Sequence, residues 1–413
     1  MYIMKRLTSL LIAAILILSV FSGCGSKPAD PSVPAVEAPS AEQPSQVPDG
    51  EAEEAGEIVI GNIQDISGSS SVWGKSYQWG AEYAAKLIND AGGVDGRKVR
   101  IVTYDTKGND VNEGINAYNR LCQQDNAVAV MGLASNIGIA LAPLSDTNKV
   151  PMVSDFMDER ATTKEDGTPW QYMFLTEPSC NQQAVLMAEY AMSKLNLSKA
   201  GILYDNSNSY ATSHALPFAE YLEAHGGEVV AMEAFDGNND KDYRALLGKI
   251  KNAGPDMLYI SGYSQQNALA YEQARALGMD YAILGNNSFF IPFAELAKGA
   301  ATNVYHPNNM NYQEEEVKAF IENATKEMGS EPSYHVFFGF DNVNIIVDAI
   351  KRAGTTDGTA LAGALGETKN LECLTGTISM NPKTHRPQGL EMWITQVEGM
   401  EYLPLEQFAP PEE

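Results

Sequence analysis

The stretch that decides the fold is AKLINDAGGVDGRKVRIVTYD, residues 85–105. Its first part closes a segment, Trp73 to Asn89, in which small and apolar residues recur at helical spacing. Its last part, Val99 to Tyr104, is an apolar run typical of a strand, and Ile58 to Ile60 is a similar run before the helix. A strand, a helix and a second strand in this order predict a parallel β-α-β unit.

The same alternation continues along the chain and predicts two sheets. One run of units ends at the strand Val150 to Val153, and a second begins near Tyr172 and ends at the strand Ala282 to Leu284. Two runs of four to five units indicate an α/β fold with two doubly wound, Rossmann-like lobes. The C-terminal part predicts helices over residues 313–328, 336–352 and 360–365, and strands over residues 374–380 and 392–397.

The charge of the chain excludes some partners. Its 413 residues contain 28 Lys and Arg against 53 Asp and Glu, a net charge of −25. Nucleic-acid binding requires a basic footprint, so no nucleic-acid partner is expected. A polybasic membrane surface is excluded for the same reason.

Residues 1–23 predict a bacterial signal peptide. Lys5 and Arg6 precede an apolar run from Leu7 to Val20 that is too short for a membrane span. The following Phe-Ser-Gly-Cys string resembles a lipobox, which implies a lipid on Cys24, and an ordinary signal peptide is the alternative. Residues 24–56 contain six prolines among Ala, Ser and Glu and show no apolar periodicity, so we expect a disordered linker there.

No catalytic or metal motif stands out, and we expect neither an enzyme nor a cofactor or metal site. The chain has no G-x-S-x-G elbow, and its five histidines are dispersed without HExxH spacing. The loop from Gly68 to Ser76 resembles a phosphate-binding loop but has one residue too many between its glycines.

A ligand is expected at the carboxyl ends of the strands, where small polar and aromatic residues collect. Ser135 and Asn136 lie where a strand ends and a helix begins, so backbone N–H groups there favour a ligand carboxylate, although Ser135 as an N-cap is the alternative. Trp73, Tyr210, Tyr263 and Phe289 are candidates for the walls of a pocket, and packing at the edge of a sheet is the alternative.

Four strings resemble one family, the branched-chain-amino-acid (leucine-binding-protein) type of periplasmic substrate-binding protein. They are IVIGNIQDISG (58–68), the stretch 85–105 quoted above, YRALLGKIKNAGPDMLY (243–259) and FGFDNV (338–343). The N-x-x-G-G-V-x-G-R-K pattern of residues 89–98 is the most specific, and the resemblance spans residues 57–400.

The resemblance implies a type I periplasmic-binding-protein fold whose two lobes are joined by three hinge crossings. The crossings are expected near Leu175–Ser179, Tyr305–Asn309 and Leu374–Thr377. Lobe 1 would then comprise residues 57–176 plus 308–375, and lobe 2 residues 177–307 plus 376–413. The implied function is capture of a small amino-acid-like ligand by closure of the lobes, and its delivery to the permease of an ABC importer at the outer face of the membrane.

The family's ligand-binding positions carry over residue by residue. Its first-loop aromatic residue matches Trp73, its carboxylate-binding serine matches Ser135, and its lobe-two aromatics match Tyr210 and Tyr263. The fourth-loop contacts fall on residues 154–158, of which Ser154, Asp155 and Asp158 are candidates.

Two departures leave the ligand class open. The acids that hold an α-ammonium group in amino-acid binders match Ser179 and Asn287 here. An ammonium group without a counter-charge in a closed cleft is costly, so either Asp155 or Asp158 substitutes or the ligand is an amide, a urea, or an aromatic or short carboxylate.

Two further questions stay open at this point. A sensor presented to a membrane receptor is the alternative function. After lipidation of Cys24 three cysteines remain, Cys122, Cys180 and Cys373, and the sequence does not pair them. We expect a monomer.

Overall fold

The computed structural model describes residues 56–389 and 391–409. The signal peptide, the lipidation site at Cys24 and residues 24–55 of the linker lie outside this part of the chain. The described residues form one compact unit that contains two large β-sheets.

The first sheet has five parallel strands in the order β2-β1-β3-β4-β5. The strands are β1 (Ile58–Gln64), β2 (Val99–Asp105), β3 (Ala129–Gly132), β4 (Met152–Ser154) and β5 (Met173–Leu175). The helices that connect the first four of these strands are α1 (Ser71–Asp90), α2 (Val111–Gln123) and α3 (Ser135–Asn148). The predicted β-α-β unit around residues 85–105 is therefore confirmed.

The second sheet repeats this order and extends it. Its strands are β6 (Lys199–Asp205), β7 (Glu228–Phe235), β8 (Met257–Ser261), β9 (Ala282–Gly285), β10 (Ala301–Asn308), β13 (Met392–Gly399) and β14 (Glu401–Phe408). They lie in the order β7-β6-β8-β9-β10-β13-β14, and the last two strands are antiparallel. Its helices are α4 (Cys180–Ser193), α5 (Ser209–Ala224), α6 (Arg244–Asn252), α7 (Ser264–Ala276) and the short α8 (Phe293–Leu296).

The C-terminal helices return to the first sheet. These helices are α9 (Glu315–Met328), α10 (His335–Ala353) and α11 (Gly358–Gly366). Side chains of α10 and α11 share one core with β1 and α1, with Ile346 and Leu361 packed among the same buried residues as Ile58. The fold is thus two α/β lobes joined by crossings of the chain, as expected.

Helices α1 and α10 touch through glycine. A Cβ atom at Gly80 would lie 2.0 Å from the carbonyl oxygen of Val336, and one at Gly339 would lie 2.0 Å from the carbonyl oxygen of Tyr77. Both distances are far shorter than a van der Waals contact, so only glycine permits the backbones to approach this closely. The central helix pair of the first lobe therefore depends on two residues without side chains.

The strand predicted over residues 374–380 is wrong in detail. The structure has a hairpin of two short strands, β11 (Leu371–Cys373) and β12 (Gly376–Ile378), in which Gly376 has a φ of +115°. The turn is held by Asp341 of α10, whose carboxylate accepts hydrogen bonds from the N–H groups of Leu374 (3.0 Å) and Thr375 (2.8 Å). A contact between residues more than 30 positions apart leaves no local signal in the sequence.

The third crossing also differs from its expected place at Leu374–Thr377. Ile378 and Met380 belong to the core of the first lobe, and the imidazole of His385 stacks on Phe174 at 4.4 Å. The carbonyl of His385 also accepts a hydrogen bond from the N–H of Leu175. We therefore infer that residues 376–386, which the sequence placed in lobe 2, belong to lobe 1, and that the chain crosses after Arg386.

Each lobe has a buried aspartate at the end of its first strand. Asp65, after β1, accepts hydrogen bonds from the N–H groups of Gly68 and Ser70 in its own loop and of Gly108 in the loop after β2. Asp205, at the end of β6, accepts from Ser207 in its own loop and from Gly237 in the loop after β7. In both lobes one carboxylate thus ties together the two loops at the sheet's edge.

A buried histidine makes the stability of the second lobe depend on pH. His306 on β10 is fully buried, its Nδ1 lies 3.0 Å from the carbonyl of Pro307, and its Nε2 has no partner among the described residues. Burial lowers the pKa of His306 from 6.5 to about 4. The folded protein therefore keeps this ring neutral in a range where the unfolded chain binds a proton, so its contribution to stability is lost as pH falls from about 6.5 to 4.

We expect His306→Gln to be less stable than the wild type at pH 7, and this deficit to shrink by about 2 kcal/mol between pH 6.5 and pH 4. Urea unfolding at both pH values measures the difference in the free energy of unfolding between the variant and the wild type. The contributions of other titrating groups cancel in this difference. The exposed His225→Gln variant is the control. A deficit for His306→Gln that is constant across this range would contradict a neutral buried ring.

Candidate functional site

A small cavity lies where the carboxyl ends of both sheets face each other. The space open to the centre of a water molecule is about 40 Å³. The first lobe lines it with Trp73, Asn109, Leu133, Ala134, Ser135, Asp155, Met157, Tyr334 and His335, and the second with Tyr210, Tyr263, Ser264 and Ser288. The strand order reverses at β1 and at β6, and such a switch point is where open α/β sheets bind ligands.

The two lobes touch across this cavity. The ring of Trp73 meets the ring of Tyr263 edge-on at 5.2 Å, and Tyr263 stacks on Tyr210 at 5.3 Å. The hydroxyl of Ser213 on α5 donates a hydrogen bond to Asp158 of the first lobe at 3.2 Å. The structure is therefore a closed arrangement of the lobes.

Four helices begin at the cavity without a capping side chain. They are α1, α3, α7 and α10, and the cavity-lining residues Trp73, Ser135, Ser264 and His335 lie in their first turns. An uncapped helix N-terminus offers free N–H groups and the positive end of the helix dipole. A ligand carboxylate can therefore be bound at such a helix start.

Ser135 joins two loops of the first lobe that line the cavity. Its Oγ donates a hydrogen bond to the carbonyl of Phe156, in the loop after β4. The bond fixes the start of α3 against the loop that carries Asp155 and Met157. The hydroxyl thus has a partner within the protein, so the backbone N–H groups at the uncapped start of α3 are the candidate donors to a ligand.

Aromatic side chains form the wall, and their hydroxyl groups are anchored. The hydroxyl of Tyr210 donates to Oδ1 of Asn287 and lies 2.7 Å from Oγ of Ser288. The Nδ2 of Asn287 donates to the hydroxyl of Tyr334 at 3.1 Å. Asn287 therefore fixes two rings of the wall from behind.

Asp155 is a buried carboxyl group in the lining of the cavity, and Glu177 is a second buried carboxyl group that contacts Asn287 behind the wall. Asp155 lines the cavity and is 2% exposed, and Glu177 is 1% exposed. The Nδ2 of Asn287 donates to Oε1 of Glu177 at 2.9 Å. Burial raises the pKa of Asp155 well above its usual range, and burial together with the nearby Asp155 does the same for Glu177.

The sequence-predicted residues divide into three groups. Five of them, Trp73, Ser135, Asp155, Tyr210 and Tyr263, line the cavity. Asn136 lies in the wider opening of about 520 Å³ outside it, where Nδ2 of Asn136 donates to the carbonyl of Asn109.

The other four predicted residues lie away from the cavity. Ser179 caps helix α4 by accepting the N–H of Gln182 at 3.1 Å. Asp158 forms an ion pair with Arg160 at 2.6 Å in addition to its contact with Ser213. Ser154 is fully buried at the end of β4, and Asn287 is held behind the wall as described.

Several lining residues were missed by the sequence analysis. The sequence does not indicate Tyr334 and His335, because they enter the site from the C-terminal segment, far in the chain from the strand ends at which a ligand is expected. Their signal was the start of the helix predicted from residue 336. Burial lowers the pKa of His335 to about 3, so the ring is neutral.

A model of the periplasmic binding protein family matches residues 57–401, and the chain belongs to this family. Its members are solute-binding proteins, and the family places the protein outside the cytoplasm. The Leu/Ile/Val-binding protein homolog 3 of Brucella melitensis is 29% identical over 336 residues, 78% of this chain and 87% of the relative.

Two solved structures show the same fold. The branched-chain amino acid transporter substrate binding protein LivJ of Streptococcus pneumoniae, in complex with isoleucine, is 26% identical with a TM-score of 0.74, and the match covers 86% of this chain and all of that one. A solute binding protein of Rhodopseudomonas palustris, in complex with 3,4-dihydroxy benzoic acid, is 20% identical with a TM-score of 0.72, covering 86% of this chain and 98% of that one. These likenesses show the fold of the chain.

Two further observations concern the described residues only. Cys122, Cys180 and Cys373 are all free thiols. No helix in this part of the chain is long and apolar enough to span a membrane.

Proposed function

We propose that the protein captures a small amino-acid-like ligand by closure of its two lobes and delivers it to the permease of an ABC importer. The observation that carries this proposal is the cavity between the lobes, which Ser135 at the uncapped N-terminus of α3 lines. The ligand carboxylate binds there, and its remaining atoms lie against Trp73, Tyr210 and Tyr263. The amino-acid ligands named for the relatives support this class of ligand.

Closure makes the ligand part of the contact between the lobes. The rings of Trp73 and Tyr263 come from different lobes, so a ligand between them contacts both. Binding energy then stabilises the closed state relative to an open one, and the permease recognises that closed state.

A thermal-shift screen with the proteinogenic amino acids tests this function. A ligand at about 100 times its dissociation constant should add about 2.7 kcal/mol to the free energy of unfolding. The screen includes the carboxylic acids that share each amino acid's carbon skeleton but lack the amine. Failure of every compound in both series to stabilise the protein would contradict the proposed function.

We further propose that Cys24 carries a lipid and that residues 24–56 tether the folded part to the outer face of the membrane. We expect the wild type to fractionate with membranes of the expressing cells, and Cys24→Ser to be released in soluble form. Cys122→Ser is the matched control, because Cys122 is a free thiol in the folded part. Membrane association of Cys24→Ser equal to that of the wild type would contradict the anchor.

A further inference from the structure

Asp155 lines the cavity, and its carboxyl group has a buried oxygen without a hydrogen-bond partner in the described part of the chain. Oδ1 of Asp155 is buried and has no hydrogen-bond partner among the described residues. The same is true of Oε2 of Glu177, whose other oxygen accepts from Asn287. A buried polar atom without a partner costs free energy, so such an atom at a binding site indicates a group that the ligand supplies.

No basic side chain among the described residues neutralises these two carboxyl groups. The arginines of the surrounding loops are used elsewhere, Arg160 by Asp158 and Arg386 by Glu159. The ring of His335 is neutral, as described above. Two buried acids without a cation are unfavourable unless a positive charge is brought to them from outside.

The aromatic residues that line the cavity with Asp155 favour a bound cation. Trp73, Tyr210, Tyr263 and Tyr334 surround the same small cavity, and aromatic faces attract a cation at close range. A compact ammonium group in this cavity would thus meet the carboxyl group of Asp155 and the aromatic rings of the same lining.

Asn287 of the second lobe does not supply a negative charge to a bound ammonium group. Its Nδ2 donates to Glu177 and to Tyr334, and its Oδ1 accepts from Tyr210. An amide in these contacts has no charge and little remaining capacity to accept from a ligand. Among the described residues that line the cavity, Asp155 of the first lobe is the one carboxyl group that can supply the counter-charge.

We infer that Asp155 binds a primary ammonium group of the ligand and thereby restricts the ligands to zwitterionic amino acids. This inference rests on the proposed function, and it excludes the amide, urea and simple carboxylate ligands that the sequence left open. The ligand carboxylate lies at the start of α3 and the ammonium group at Asp155, so both charged groups are held by the first lobe. The second lobe then closes over a ligand that is already oriented.

Calorimetric titration of Asp155→Asn with paired ligands tests the inference. For each amino acid that binds the wild type, the partner compound is the acid of the same carbon skeleton without the amine. We expect the wild type to bind the amino acid roughly 100-fold more tightly than the partner, since a buried charge pair is worth that much. Asp155→Asn should lose roughly 100-fold in affinity for the amino acid and less than threefold for the partner.

Two controls separate this role from a structural one. Asp280→Asn removes the same charge from an exposed position and should leave both affinities unchanged. The ligand-free Asp155→Asn protein should unfold at the same temperature as the wild type or higher, because the substitution removes a buried ionisable group that has no counter-charge among the described residues. A structural role would lower its stability instead.

Two results would overturn the inference while leaving the proposed function intact. One is an Asp155→Asn variant that binds the amino acid as tightly as the wild type. The other is a wild type that binds the acids without an amine as tightly as the amino acids. Absence of binding to either series would instead contradict the proposed function.

Discussion

Replacement of Gly339 by alanine should lower the free energy of unfolding by about 4 kcal/mol, near the upper end for single substitutions. The added Cβ would lie 2.0 Å from the carbonyl oxygen of Tyr77 and 3.1 Å from the amide nitrogen of Ala81. Both atoms belong to the backbone of α1, so no side-chain rotation relieves the clash. The helices must separate, and the core they share with the first sheet loosens. Urea unfolding, followed by the circular dichroism of the helices, measures the loss.

Gly363→Ala is the matched control. Gly363 lies inside helix α11 of the same lobe, and a Cβ atom there meets no other atom within 4 Å. Alanine has the higher helix propensity, so this variant should be more stable than the wild type by about 0.5–1 kcal/mol. Equal effects of the two substitutions would contradict the close approach of α1 and α10.

Replacement of Trp73 by alanine should weaken ligand binding at least 100-fold, or about 3 kcal/mol. The indole is half-buried, and it contacts Tyr263 of the other lobe at 5.2 Å and His335 at 5.5 Å. Its removal takes away one wall of the cavity and a contact between the lobes, so both the ligand and the closed state lose apolar burial. Calorimetric titration with the amino acid identified by the screen gives the affinity.

Trp170→Ala controls for the loss of an indole. Trp170 is also half-buried in the first lobe, but it packs away from the cavity, and the ammonium group of Lys164 lies 4.7 Å from its ring centre. This variant should bind the ligand within threefold of the wild type, even where its stability falls. A Trp73→Ala variant with wild-type affinity would show that the ligand does not lie against the indole.

The site residues that the sequence predicted come directly after strands, and the position of a strand is a local property of the sequence. Trp73, Ser135, Tyr210 and Tyr263 each come shortly after an apolar run, and parallel strands bring their carboxyl ends to one edge. Hydrophobic periodicity alone therefore places these four residues near each other.

The other parts depend on contacts between distant segments. Asn287 and Ser179 match binding positions of the family, yet one bridges Tyr210 and Glu177 while the other caps a helix. Tyr334 reaches the cavity because the C-terminal helices return to the first lobe. The course of residues 374–386 depends on Asp341 and Phe174, which are far away in the chain.

The buried aspartates at the ends of β1 and β6 affect how a transport partner would distinguish the ligand-bound protein from the ligand-free one. Asp65 and Asp205 each tie loops of their own lobe together, and these hydrogen bonds do not cross between the lobes. The surface on either side of the opening should therefore keep its shape when the lobes part. A transport partner that touches both surfaces would recognise their spacing rather than the ligand itself, so one docking surface could accept every ligand that permits closure.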